Sequence, residues 1–145
     1  MKISIIYWTS TGNTEKVAEY IAEGIKNASD VEVNLVNVSK ATSEDIELSD
    51  LIVFGSSAMG VEAIDDSEMA PFIDGIKELL NQKKVAVFGS YDWGDGEWLR
   101  EWSLDLNASN ADVLEEYLMI QNTPEAHDIE SCHAFSKYLL NQLES

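Results

Sequence analysis

Basic residues are scarce. Nine Lys and Arg stand against 27 Asp and Glu, giving a formal net charge of −18 and a pI near 4.1. A surface this acidic repels nucleic-acid phosphates and anionic membranes, so neither is an expected partner; basic protein faces are. The single Cys132 excludes an internal disulfide, and no Cys/His spacing of a zinc site occurs. No run of 18 apolar residues exists, and the stretch Met1 to Trp8 is too short for a secretory leader. The expectation is a soluble, cytoplasmic chain. Repeats, linkers and low-complexity segments are also missing. What is present is 145 residues, 45% hydrophobic and 9% aromatic. That suffices for one core and not for two, so a single domain over 1–145 is expected.

Five apolar runs alternate with helical patterns. Ile3 to Trp8 is the first strand candidate, followed by a helix from about Asn13 to Lys26, in which Val17, Ala18, Tyr20, Ile21 and Ile25 repeat at helical spacing. Val31 to Val38 alternates as a half-buried strand, and a short helix from Glu44 to Leu48 follows. Leu51 to Gly55 and Val85 to Gly89 are continuous apolar runs, as strands covered on both faces require. The helix Glu68 to Leu80 carries Pro71 in its first turn, where a missing N–H costs little. A helix from Trp98 to Leu106, a strand at Tyr117 to Ile120 and a helix from Glu125 to Leu143 complete the chain. Such alternation implies an α/β fold, a parallel sheet with helices on both faces. Ligands of these sheets bind beyond the strand carboxyl ends, where the strand order reverses.

The segment after the first strand, Thr9-Ser10-Thr11-Gly12-Asn13-Thr14, offers four hydroxyls, an amide and a glycine at a helix N-terminus. Free N–H groups and the helix dipole there favour an anion, and a phosphate fits. A G-K-[ST] triplet and a G-x-G-x-x-G are both missing, which disfavours nucleoside triphosphates and dinucleotides. A plain N-cap would need one such hydroxyl.

This T-x-T-G-N-T segment resembles the phosphate loop of the flavodoxins, which bind flavin mononucleotide (FMN). Ser56-Ser57-Ala58-Met59-Gly60 and Gly89-Ser90-Tyr91-Asp92-Trp93-Gly94-Asp95-Gly96 resemble that family's two flavin-contacting loops, in its clostridial branch above all. The likeness spans the whole chain, and the long insertion of long-chain flavodoxins is missing. The resemblance implies a doubly wound, five-stranded parallel sheet of order 2-1-3-4-5 and a low-potential one-electron carrier using non-covalently bound FMN. Its redox partners would be reductases and low-potential oxidoreductases with basic faces, and the chain would act as a monomer.

An isoalloxazine ring is flat, with apolar faces and polar edges. Met59 can cover one face through its thioether and Trp93 the other by stacking; family analogy gives both these roles. Glu62 is expected to accept from the ring N3–H. Tyr91 is a further candidate at the ring. Ser56, Ser57 and Ser90 are expected on the ribityl chain or ring edge. Ala58, Gly60, Val61, Gly94 and Asp95 complete the two loops. Relatives reorient the peptide that here joins Gly60 to Val61 when the flavin takes its first electron. The turn this creates needs φ > 0 at Val61, which costs a β-branched residue about 1–2 kcal/mol, so the first couple is expected below that of relatives.

Glu62, Asp65, Asp66, Asp92 and Asp95 form the candidate acidic rim, expected to lower the potential by Coulomb repulsion. Trp98 and Trp102 are expected to pack on the sheet, and His127 and His133 to lie on helix surfaces. A flavin enzyme, or an activation partner of ribonucleotide reductase, is the alternative on the same fold. A phosphoacceptor receiver domain would need acids after the first strand and a lysine after the fifth. The residues found there are Tyr7-Trp8-Thr9 and Gln121-Asn122-Thr123.

Overall fold

Alternation along each strand decides which helices that strand meets. In β1 (Lys2–Trp8), Ile3, Ile5 and Tyr7 join one core and Ile6 the other. In β3 (Leu51–Ser57), Leu51 and Val53 oppose Ile52 and Phe54; in β4 (Lys84–Tyr91), Ala86 and Phe88 oppose Val85 and Val87. The first core is closed by α1 (Asn13–Ala28) and α5 (Ala126–Glu144). The second is closed by α2 (Ser43–Glu47), α3 (Met69–Ile76) and α4 (Glu97–Ala108). Residues apolar on both faces therefore build a sheet buried on both faces, as in doubly wound folds. The computed structural model describes residues 1–58, 64–92, 94 and 96–144.

All pairings are parallel, and the spatial order is β2 (Glu32–Asn37), β1, β3, β4, then the fifth position. The sequence predicts one final strand at Tyr117 to Ile120. Two pieces fill that position instead, β5 (Asp112–Val113) and β6 (Leu118–Gln121), both paired with β4. Between them the register against β4 slips by two residues. The exposed Glu115 and Glu116 lie in the slip, so the edge is bulged and charged, two devices that discourage pairing with a second sheet. The predicted helix through Leu80 ends earlier, at Ile76, and tightens into a 3-10 turn over Lys77–Leu80.

On α5, Phe135 and Leu139 are buried as expected, while Ile129 and Tyr138 are only half-buried. Cys132 is fully buried instead; burial first, then the Asp128 charge, pushes its thiol up to about 12. Gly55 marks the tightest approach in the sheet. It pairs with Phe88 on the next strand, and a Cβ there would strike the Phe88 ring. Gly55→Ala should therefore cost about 1–3 kcal/mol by overpacking, lowering Tm by roughly 3–10 °C in a thermal melt followed by circular dichroism. An unchanged Tm would show that the ring can turn aside.

Candidate cofactor site at the strand carboxyl ends

The strand order reverses between β1 and β3, and the loop Thr9 to Gly12 sits at that point, immediately before α1. Gly12 is the helix N-cap, with φ +100°, a conformation that costs a glycine little. It has no side chain with which to cap α1, and a Cβ placed there would meet nothing within 4 Å. Thr9 Oγ1 accepts from the Gly12 N–H at 2.9 Å, folding the loop back on itself. Ser10 and Thr11 are exposed on its crest, and Asn13 Oδ1 accepts from the Thr123 hydroxyl at 3.2 Å.

Thr14 is the hub. It is fully buried, and its hydroxyl lies 2.7 Å from the Ser57 hydroxyl and 2.5 Å from that of Ser90. Ser57 Oγ also accepts from the Ser10 N–H at 3.4 Å, and the Ala58 N–H donates to the Ser90 carbonyl at 2.9 Å. The ends of β3 and β4 and the first turn of α1 are thus tied through three hydroxyls in a buried setting, where such bonds are strongest and most costly to break. Ser56 is buried one position earlier, donating to the Ser57 carbonyl and accepting from the Asp65 N–H.

The β4 side is held from two directions. Tyr91 is half-buried with its ring 5.4 Å from that of Trp98, and its carbonyl accepts from the Asn122 N–H at 2.8 Å. The Asp92 carbonyl accepts from Gln121 Nε2 at 3.1 Å. Gly94 and Gly96 both have positive φ, and a Cβ on Gly96 would strike the Met119 sulfur. Trp98 and Trp102 are buried against the sheet, as their spacing predicts. Trp8 is half-buried on the same core. His133 pairs with Glu23 at 2.9 Å and the exposed His127 with Asp128 at 3.3 Å, both at helix surfaces.

Met59, Gly60, Val61, Glu62, Trp93 and Asp95 lie outside the described residues. The expected ring faces, the N3–H acceptor and the Gly60–Val61 peptide are therefore not placed. Asp66 and Asp92 are exposed, as a rim requires. Asp65 departs from that expectation: it is buried, and its carboxylate turns into the start of α3. A cleft of about 780 Å³ between α3 and α4, floored by Ile73, Trp102 and Leu106, lies away from the phosphate-type loop. Among the described residues, the switch point brings together hydroxyls, a helix N-terminus and the strand carboxyl ends.

The sequence placed a hydroxyl-rich loop before α1 but not the hydrogen bonds that tie it to β3 and β4. The links Thr14–Ser57, Thr14–Ser90 and Asn13–Thr123 span 43, 76 and 110 positions of sequence. A run of small hydroxyl residues at three strand ends was the one available signal.

A helix opened by glycine, fronted by hydroxyls and free of loop lysines, at the reversal of a doubly wound parallel sheet, defines a mononucleotide-binding domain. Residues 5–135 match the flavodoxin family model. The flavodoxin of Clostridium beijerinckii is 42% identical over 139 residues, covering 96% of this chain and 99% of that one. The two-electron reduced flavodoxin of Megasphaera elsdenii, solved in solution, superposes with a TM-score of 0.81 at 34% identity, covering 93% and 98%. An archaeal flavodoxin superposes with a TM-score of 0.90 over the full length of both chains; at 24% identity it speaks to the fold alone. The chain belongs to the flavodoxin family. It is an FMN-binding, low-potential electron carrier and not an enzyme, and flavodoxins are themselves an instance of the switch-point rule.

Proposed function

We propose that this chain, as one domain over 1–145 and as a cytoplasmic monomer, carries single electrons between redox proteins that present basic faces. FMN supplies the redox chemistry, and the chain binds, orients and shields it. The Thr14 hydroxyl, shared between Ser57 and Ser90, carries the reading of the site, because it holds three strand-end loops in one arrangement. On this reading Thr9 to Thr14 cradle the phosphate: Ser10 and Thr11 offer hydroxyls, and the first turn of α1 offers N–H groups that glycine leaves to the ligand. Ala58 and Tyr91 line the ribityl side, backed by the buried Ser56, Ser57 and Ser90 hydroxyls expected there, which are spent on Asp65 and Thr14; Met59 and Trp93 take the ring faces and Gly60, Val61, Glu62, Gly94 and Asp95 its edge.

Docking is the electrostatic part of the proposal. With −18 net charge and exposed Asp66 and Asp92 near the strand carboxyl ends, a basic partner is drawn toward the flavin end. Electron transfer to a basic haem protein should slow steeply as ionic strength rises from 0.01 to 0.1 M, where the screening length falls from about 30 to about 10 Å. Stopped-flow mixing across that range reads the effect. A rate independent of salt would remove acidic docking from the function.

A further inference from the structure

Asp65 is almost wholly buried, at 3% exposure, although the three residues that follow it, Asp66, Ser67 and Glu68, are exposed. Both carboxylate oxygens are engaged. Oδ1 accepts from the Ser67 hydroxyl at 2.7 Å and the Ser67 N–H at 3.2 Å; Oδ2 accepts from the N–H groups of Glu68 at 2.7 Å and Met69 at 2.9 Å. Burial raises its pKa, but the hydrogen bonds from Met69, Ser67 and Glu68 outweigh it and hold the carboxyl below its usual value. Its main chain is fixed as firmly. The carbonyl accepts from the Ala70 N–H at 3.1 Å, and the N–H donates to Ser56 Oγ at 3.2 Å.

That last bond matters for function. Ser56 lies at the end of β3, two residues before Ala58, whose own N–H is held by the Ser90 carbonyl. The chain that leaves β3 at Ala58 and returns at Asp65 is pinned to the sheet at both ends. Glu68, the residue at the N-cap of α3, makes no side-chain cap, so Asp65 does the capping from three positions upstream. The carboxylate of the α2 capping box, Asp45, is only half-buried and reaches back to the Thr42 N–H and to Asn34 Nδ2, away from the carboxyl ends of β3 and β4.

We propose that Asp65 is a positioning residue for the cofactor: by joining the start of α3 to Ser56, it fixes the point, at Ile64 and Asp65, where the chain rejoins the carboxyl end of β3 beside the cofactor site. This rests on the FMN reading above. The test compares Asp65→Ala, Asp65→Asn and Asp45→Ala, the last removing a helix-capping carboxylate with no bond to Ser56, by titration of the apoprotein with FMN and with riboflavin. Circular dichroism sets a temperature at which all are folded. Asp65→Ala should lose at least tenfold in FMN affinity against both wild type and Asp45→Ala, and riboflavin affinity should fall by the same factor, because the phosphate loop is untouched. Asp65→Asn, keeping one acceptor oxygen, should fall between. If the loss differs tenfold between oxidised and one-electron reduced cofactor, the first potential moves by about 59 mV. Wild-type affinities and an unshifted potential in folded Asp65→Ala would reduce Asp65 to a helix cap and overturn the proposal. A loss confined to FMN would also overturn it. If the alanine variant does not fold, Asp65→Asn is judged against the same two outcomes. Failure of the wild type to bind FMN would instead overturn the reading beneath it.

Discussion

Riboflavin should bind at least a hundredfold more weakly than FMN, although the two share the same ring and ribityl chain. On the proposed reading the phosphate is the part that the loop Thr9 to Thr14 holds. Two charge-assisted hydrogen bonds at about 1.5–3 kcal/mol each correspond to roughly 10²–10⁴ in affinity at 1.4 kcal/mol per tenfold. The first turn of α1 adds its dipole. FAD should fare little better, because an adenylated pyrophosphate cannot enter a loop that closes on a monoester. Thr14→Val keeps the side-chain shape and deletes the hydroxyl that Ser57 and Ser90 share. It should lower FMN affinity by about tenfold to a hundredfold, the loss of one buried hydroxyl at about 1–3 kcal/mol, and should narrow the gap between FMN and riboflavin. Quenching of flavin fluorescence measures all these affinities. Equal binding of riboflavin and FMN by the wild type would refute the phosphate cradle.

Trp93→Ala and Trp98→Ala should separate cofactor binding from stability. Trp98 is 1% exposed and packs on Tyr91 within the second core, so truncating it should cost about 3–5 kcal/mol of folding free energy. In the sequence Trp93 is flanked by Asp92, Gly94, Asp95 and Gly96, turn formers among which core packing is not expected. Its removal should leave the melting temperature within about 2 °C, as for other surface changes of under 0.5 kcal/mol. FMN affinity should drop about tenfold, combining lost stacking of about 0.5–1.5 kcal/mol with lost burial. Thermal melts and FMN titrations on the two variants form a two-by-two comparison. If both variants bind FMN alike, Trp93 does not cover the ring.

The strands and helices were legible because burial on both faces leaves a plain mark. Leu51 to Phe54 and Val85 to Phe88 contain no polar residue, and they form the centre of the sheet. The fifth strand was read short because Glu115 and Glu116 interrupt the apolar pattern, and a two-residue register slip leaves no periodic trace. A hydroxyl-rich loop at a helix start was legible from composition, since four hydroxyls crowd a glycine there. The hydroxyl hub was not, because it depends on which of many serines meet across distant strand ends. Asp65 was expected on the rim and is buried: the acids Asp65, Asp66 and Glu68 before a helix mark a favourable N-terminal turn, but not which of them turns inward to cap it.

Anaerobic reductive titration of the FMN-loaded protein, followed by visible absorbance, tests the electron-carrier account most directly. The account predicts two resolved one-electron steps, with NADH and NADPH alone leaving the flavin oxidised over the same period. A single two-electron step accompanied by rapid NAD(P)H oxidation would contradict it, since that is the behaviour of an enzyme with a nicotinamide site of its own.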